Sequence, residues 1–451
     1  MDFMKTKKIP EFYRSLIIVG LPLMIQQFVS SSLNFIDNLM IGRLGTDYIA
    51  AVGFANNTYR IYDLCLFGIY SGMGIFIAQY YGKKNYEVIR KIFGKMIQFG
   101  FVIGIIFSVA AFCRAEQIIR IYTDDPNVLR IGISYLKKAV FCYNFYAFAF
   151  AIGFTLRSMG LTKIPMIASA IGVTFNTFFN YLLIYGNFGF PRWEEKGAAI
   201  ATIIARCVEM SILIFIVYIR DYNLKGKIKE YLKLPKIILK EIIKKSVPVF
   251  FTETLWILGT ISLTVAYARL GTKAAAATQI SEIVMAIGAI VFMGVANAAS
   301  VMIGHTIGQG DRDKAISYSK KIVKISMILA IICALAIEAV TPIIVGLYKL
   351  EPDVSALAIQ IMRIIGISIL FKMVNWSILI GLFRAGGDTK IAFLCDTLPL
   401  WLIAVPAAFI GAHFKLPLYQ VVIMAESSEI VKLVISFVRY KSMRWIKDVT
   451  V

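Results

Sequence analysis

Twelve runs of apolar residues divide the chain, at about 15–41, 50–78, 96–113, 130–155, 164–186, 197–219, 247–270, 276–304, 322–345, 355–381, 391–411 and 417–438. Each is long enough to cross a bilayer. The hydrocarbon core holds no water to serve a bare peptide group, so a spanning segment must be a helix or part of a closed barrel. Runs this long and this continuous read as helices. The expected fold class is therefore an all-α polytopic membrane protein with twelve transmembrane helices. Composition agrees: 59% of residues are hydrophobic and 17% charged, against about a quarter charged in soluble domains. The six cysteines form no CxxC, and there are only two histidines, His305 and His413. A zinc site, a disulfide framework and histidine-based catalysis are thus poorly supplied, and the chain reads as no enzyme and as needing no cofactor. The net charge of +21 does not point to nucleic acid, because the basic residues lie in short loops between apolar runs. They read as topology signals with affinity for the anionic headgroups of the lipid bilayer.

Loop charge sets the orientation. Lys83, Lys84, Arg90 and Lys91 crowd one loop, and Arg312, Lys314, Lys320 and Lys321 another. The intervening loops carry Asp124 and Asp125, Glu194 and Glu195, or Glu351 and Asp353. With an even number of spans, both termini are expected on the cytoplasmic side of the plasma membrane, and the chain reads as a monomer. The basic start, MDFMKTKKIPEFYR, lacks a small-residue cleavage site and reads as an uncleaved signal-anchor. Residues 220–245 form the longest polar connection, Lys-rich and periodic, and read as an amphipathic helix on the cytoplasmic surface. The expected domains are an N-terminal six-helix lobe (1–219), this linker (220–245) and a C-terminal six-helix lobe (246–451).

The two halves repeat. Pro22 lies 226 residues before Pro248, and at that offset Arg43-Leu44-Gly45-Thr46 meets Arg269-Leu270-Gly271-Thr272. Later, at offset 227, Arg157, Gly160, Thr162 and Lys163 meet Arg384, Gly387, Thr389 and Lys390. Two halves in the same order, each starting on the same side, imply parallel repeats related by a pseudo-two-fold axis along the membrane normal. Such repeats permit alternating access. Pro22, Pro248, Arg157, Gly160, Arg384 and Gly387 are the expected hinges or gates. The two arginines are expected to bind helix C-terminal carbonyls.

The first span is apolar except for one stripe. Gln27, Ser30, Asn34 and Asp37 recur at spacings of three, four and three, which share one helix face. A carboxylate within a span costs about 2.5–3.5 kcal/mol on insertion scales. That cost marks Asp37 as a candidate cation or proton site lining an aqueous cavity.

These stretches together resemble the multidrug and toxic compound extrusion family of antiporters over nearly the whole chain. The resemblance rests on FIDNLMIGRLGT (35–46), LRSMGLTKIP (156–165), NTFFNYLLIYG (176–186), GAAIAT (197–202) and FRAGGDTK (383–390). It implies export of lipophilic organic cations driven by inward Na⁺ or H⁺. It also implies a cation site in the N-terminal lobe at Asp37, Asn176, Asn180 and Thr202. The residue types agree with that role. Asn176 and Asn180 share a helix face, and carboxylate, amide and hydroxyl oxygens are hard ligands suited to Na⁺. Stripped of water, the same carboxylate can hold a proton instead.

In the second half, Glu253 matches a glutamate position of some branches of the family. Span 8 carries a second polar stripe of Gln279, Glu282, Ala286, Met293 and Asn297. Where the sodium-coupled branch has an acid in span 10, this chain has Lys372 and Asn375. Lys372 is expected to neutralise Glu253, Glu282 or Asp396, since an unpaired buried charge is strongly disfavoured. Glu253, Glu282, Lys372 and Asp396 are the candidate substrate or second-ion residues. Arg60 and Asp63 are expected to pair within span 2. Glu209, Glu338, Glu426 and Glu429 read as near span ends and carry no assignment. A flippase for lipid-linked oligosaccharides or peptidoglycan precursors is the alternative function. It would be expected to line its cavity with several arginines, whereas the intramembrane charges here are mainly acids.

Overall fold

The computed structural model describes residues 10–220, 222–347 and 351–450. The chain is helical along its length, and no described residue lies in a strand. In order the helices are α1 (Glu11–Gly42), α2 (Thr46–Gly82), α3 (Tyr86–Cys113), α4 (Ala115–Arg120), α5 (Pro126–Ala139), α6 (Cys142–Ser158), α7 (Lys163–Tyr185), α8 (Glu194–Arg220), α9 (Ile228–Leu232), α10 (Lys236–Ala268), α11 (Thr272–Gly308), α12 (Arg312–Leu347), α13 (Pro352–Trp376), α14 (Thr389–Pro399), α15 (Val405–His413) and α16 (Leu418–Lys441). Among the described residues ten helical stretches are long and apolar enough to cross a membrane, and α5 with α6, bent by 49°, makes an eleventh. The twelfth is α16. Its 24 residues reach across a bilayer, but Glu426, Glu429 and Lys432 interrupt its apolar run. Each of the twelve expected spans thus has its helix. The expected signal-anchor falls largely on residues 1–9, outside the described residues.

The repeat is written into the backbone. Helices α2 and α11 are both 37 residues long and start 226 residues apart, at Thr46 and Thr272. Both follow a glycine at positive φ, Gly45 at 133° and Gly271 at 115°. The offset is still 226 where Pro126 and Pro352 open α5 and α13. It has become 227 at Arg157 and Arg384. Between those points the second half carries a π-helical turn, Ser377–Arg384. A π turn spans one more residue than an α turn, so this turn accounts for the extra residue and keeps the following motif in phase. Beyond it both copies end alike. The amides of Leu161 and Asp388 bond back to the carbonyls of Leu156 and Phe383, at 2.8 and 2.9 Å. Gly160 and Gly387 sit at φ 80° and 72°, the left-handed position that closes a helix and favours glycine.

The chain divides into two compact units. One is Leu21–Ile242; the other is Ile243–Val451 together with the segment up to Gly20. The division at Ile242/Ile243 falls inside the expected linker 220–245, and the departure from the expected domains is the segment up to Gly20. The start of α1 belongs to the later unit because Phe12 is buried there among Met302, Tyr318 and Ile322. The division falls beside Pro22, inside α1. The linker also differs from expectation. Its own helix, α9, has only five residues, because Pro235 disfavours helix at the residue before it and α10 begins directly after it. Helix α9 is docked on α3: Glu230 pairs with Arg90 at 2.8 Å, and Gln98 donates to the Tyr231 carbonyl at 2.9 Å.

In the first unit, tyrosines tie α2 to α6. Tyr62 donates to the Tyr143 carbonyl at 2.7 Å and Tyr70 to that of Ala147 at 3.3 Å. Helix α3 comes close through Gly100 and Gly104, a small-residue spacing that lets membrane helices approach. In the second unit the chain end straps the turn after Arg384. Trp445 is fully buried, and the Lys447 amide donates to the Gly386 carbonyl at 2.9 Å. A Cβ on Gly386 would stand 2.2 Å from the Trp445 carbonyl oxygen. Gly386→Ala is therefore expected to dislodge the strap and lower stability by about 1–3 kcal/mol, the usual cost of overpacking. Thermal unfolding of the purified protein, with proteolysis of the C-terminal segment, measures this.

Candidate functional site

In the first unit a cavity of about 550 Å³ opens among α1, α2, α5, α6, α7 and α8. Asp37 lines it, brought there by the polar face of α1 with Asn34 and Asn38. Helix α7 supplies Asn176 and Asn180 one turn apart, both only 1% exposed. The Asn180 amide donates to Asp37 at 2.6 Å and to Asn176 Oδ1 at 2.9 Å. Asn176 in turn donates to the Thr202 hydroxyl at 3.3 Å, and that hydroxyl donates to the Ala198 carbonyl at 3.0 Å. The four expected residues thus form one connected chain across α1, α7 and α8. Asn180 Oδ1 is buried without a hydrogen-bond donor. The site therefore keeps an unused neutral oxygen beside a carboxylate, a donor set that fits Na⁺. Gln27, by contrast, is exposed and does not line the cavity.

The same cavity holds charges that sequence reasoning assigned elsewhere. Asp63 does not pair with Arg60; it accepts a short hydrogen bond from the Tyr146 hydroxyl. Arg60 lines the cavity with no ion-pair partner among the described residues. Glu209 lies mid-helix, not at a span end, and pairs with Arg206 at 2.7 Å. The Arg206 guanidinium stacks 4.9 Å from the centre of the Tyr146 ring. Arg206 and Glu209, three apart within an apolar run, were the available signal.

The C-terminal candidates do not converge on one point. Lys372 neutralises none of the three expected acids. It pairs with Glu426 at 2.7 Å, and the Ser368 hydroxyl makes a short hydrogen bond to the same carboxylate. Glu253 is held by Arg384 at 2.6 Å, Asp396 by Lys432 at 2.8 Å, and Glu282 is exposed and accepts from Thr264 at 3.3 Å. Each acid has the partner that its own helix neighbours bring within reach, which leaves Lys372 to α16. The side chain of Ala286 lies outside the described residues. Glu426 and Glu429 sit near the middle of α16, not at its end. The two arginines also differ from expectation. Arg384, 4% exposed, spends its guanidinium on Glu253, not on helix carbonyls. Arg157 lies 5.9 Å from the Phe150 ring centre, and its Nε is buried without a partner.

The MatE family model matches the chain twice, over residues 22–182 and 248–439. The chain belongs to the MatE family. The two matches begin at Pro22 and Pro248, the first landmarks of the repeat. The probable multidrug resistance protein YoeA of Bacillus subtilis (strain 168) is 25% identical over 413 residues, covering 90% of this chain and 89% of that protein. The probable multidrug resistance protein NorM of Thermotoga maritima is 21% identical, covering 92% and 88%. A solved MOP superfamily transporter from Pyrococcus furiosus superposes with a TM-score of 0.85 at 17% identity, covering 96% of this chain and 95% of that one. The MatE fold of twelve membrane-spanning helices in two lobes is therefore this chain's fold, and it is a multi-pass membrane transporter.

Proposed function

We propose that this MatE protein is an antiporter that exports lipophilic organic cations from the cell, driven by Na⁺ or H⁺ entering at the Asp37 site. One observation carries the reading: a buried chain of oxygen and amide groups, Asp37–Asn180–Asn176–Thr202, set on a cavity of about 550 Å³ within a membrane bundle. Asp37 supplies the charge that attracts the coupling cation. Asn176, Asn180 and Thr202 hold its carboxylate in place and offer neutral oxygens. The multidrug names of the curated relatives support the cargo class. Coupling follows if cation and cargo favour different states of an alternating-access cycle. Pro22 and Pro248 are the proposed hinges. Pro22 adjoins the division between the units, and a proline inside a helix removes one backbone hydrogen bond. Residence in the plasma membrane with both termini cytoplasmic follows from the basic loops.

Reconstituted vesicles with independently imposed Na⁺ and pH gradients test the coupling. One of the two gradients, imposed alone, is expected to drive export of a lipophilic cation such as a fluorescent dye. Export that proceeds equally with both gradients collapsed would sink the antiport reading.

A further inference from the structure

We propose that the C-terminal unit carries a proton-binding site of its own: the carboxylates of Asp396 and Glu429, bridged by Lys432. Lys432 is only 2% exposed and touches both acids, at 2.8 Å and 3.0 Å. One ammonium thus serves two carboxylates. The neighbouring Lys372–Glu426 pair is already balanced, and so is Arg384 with Glu253. The bridged pair keeps one uncompensated negative charge within a membrane bundle, which is costly unless a positive charge joins it.

The surroundings mark that place for something as small as a proton. Asn375, fully buried, gives its amide N–H to Glu429 at 2.9 Å, while its Oδ1 has no donor. Thr397 Oγ1, next to Asp396, is also buried without a partner. Asn375 lies two residues before the π turn Ser377–Arg384, and Asp396 four residues before a second one, Leu400–Ala404. Such turns recur at functional sites, where they loosen the helix's own bonding. The Asp396 and Glu429 side chains are 13% and 12% exposed, so neither carboxylate is fully sealed off. A metal ion is disfavoured, because the Lys432 ammonium already occupies the positive position between the acids. Lys372 also faces Glu429 and holds Glu426, which lies near Tyr267 and through it Glu282; Cys395 faces Asp396, with Asp388 and Arg439 further along. Asp388 is itself paired twice, to Arg439 and Lys447. This site stands whichever ion Asp37 uses.

Infrared spectroscopy of the full chain in lipid nanodiscs tests it, reading the C=O band of protonated carboxyl groups. The wild type and Asp37→Asn are both expected to show one such band that Asp396→Asn and Glu429→Gln each remove. Loss by either single change is the signature of one proton shared between two acids. Sodium added at constant pH is expected to leave the band in place. If both variants keep every carboxyl band of the wild type, or if sodium abolishes the band, the proposal is overturned. Should a variant not fold, Asn375→Leu keeps the charge count and is expected to shift the same band; an unmoved band would overturn the assignment.

Discussion

Replacing Arg384 by methionine is expected to destabilise the protein by about 3–5 kcal/mol, the usual cost of removing one partner from a buried ion pair. Arg384 is 4% exposed and pairs with Glu253 at 2.6 Å. Without the guanidinium, Glu253 is left charged inside α10 without its ion-pair partner. The double change Arg384→Met with Glu253→Gln is expected to recover most of the loss, since two neutral groups need no partner. Thermal unfolding of single and double variants measures the coupling. Additive effects would mean that the contact does not hold the unit together. The matched position in the first half behaves differently. Arg157 has no carboxylate partner among the described residues and rests over Phe150. Arg157→Met is accordingly expected to cost less than Arg384→Met, although the two residues occupy equivalent places in the repeat.

That asymmetry shows where sequence reasoning worked and where it stopped. Hydrophobic run length located all twelve spans, since membrane-spanning backbone has almost no alternative to helix. The polar stripe of span 1 marked Asp37, and the family resemblance, with which the spacing of Asn176 and Asn180 agrees, set beside it two residues that the fold joins to it by hydrogen bonds. The partners of the other charges were not legible. Lys372 meets Glu426 because α13 lies against α16, a contact between residues 54 apart that no local period reports. Glu426 and Glu429 read as end residues in sequence, although the apolar run around them extends in both directions. Loop charges and helix-end motifs look alike in sequence, so Arg384 read as a cap when it is an ion-pair partner. The change of offset from 226 to 227 was visible, but its cause, a π turn inside a helix, is a matter of backbone bonding and leaves no residue-type signature.

Asp37→Asn separates function from stability most sharply. The substitution removes a charge whose presence in a span costs about 2.5–3.5 kcal/mol, while asparagine can still bond to Asn180. The folded protein is expected to be at least as stable as the wild type. Coupling should nevertheless fail, because a cation that binds two states of the transporter equally shifts neither. The direct measurement is gradient-driven export of a lipophilic cation from vesicles reconstituted with wild type or Asp37→Asn at equal protein content. The expected result is a fall of at least roughly tenfold, equivalent to about 1.4 kcal/mol or more of lost coupling, with unchanged thermal unfolding. Full export by the variant under either a Na⁺ or a pH gradient would contradict Asp37 as the coupling site.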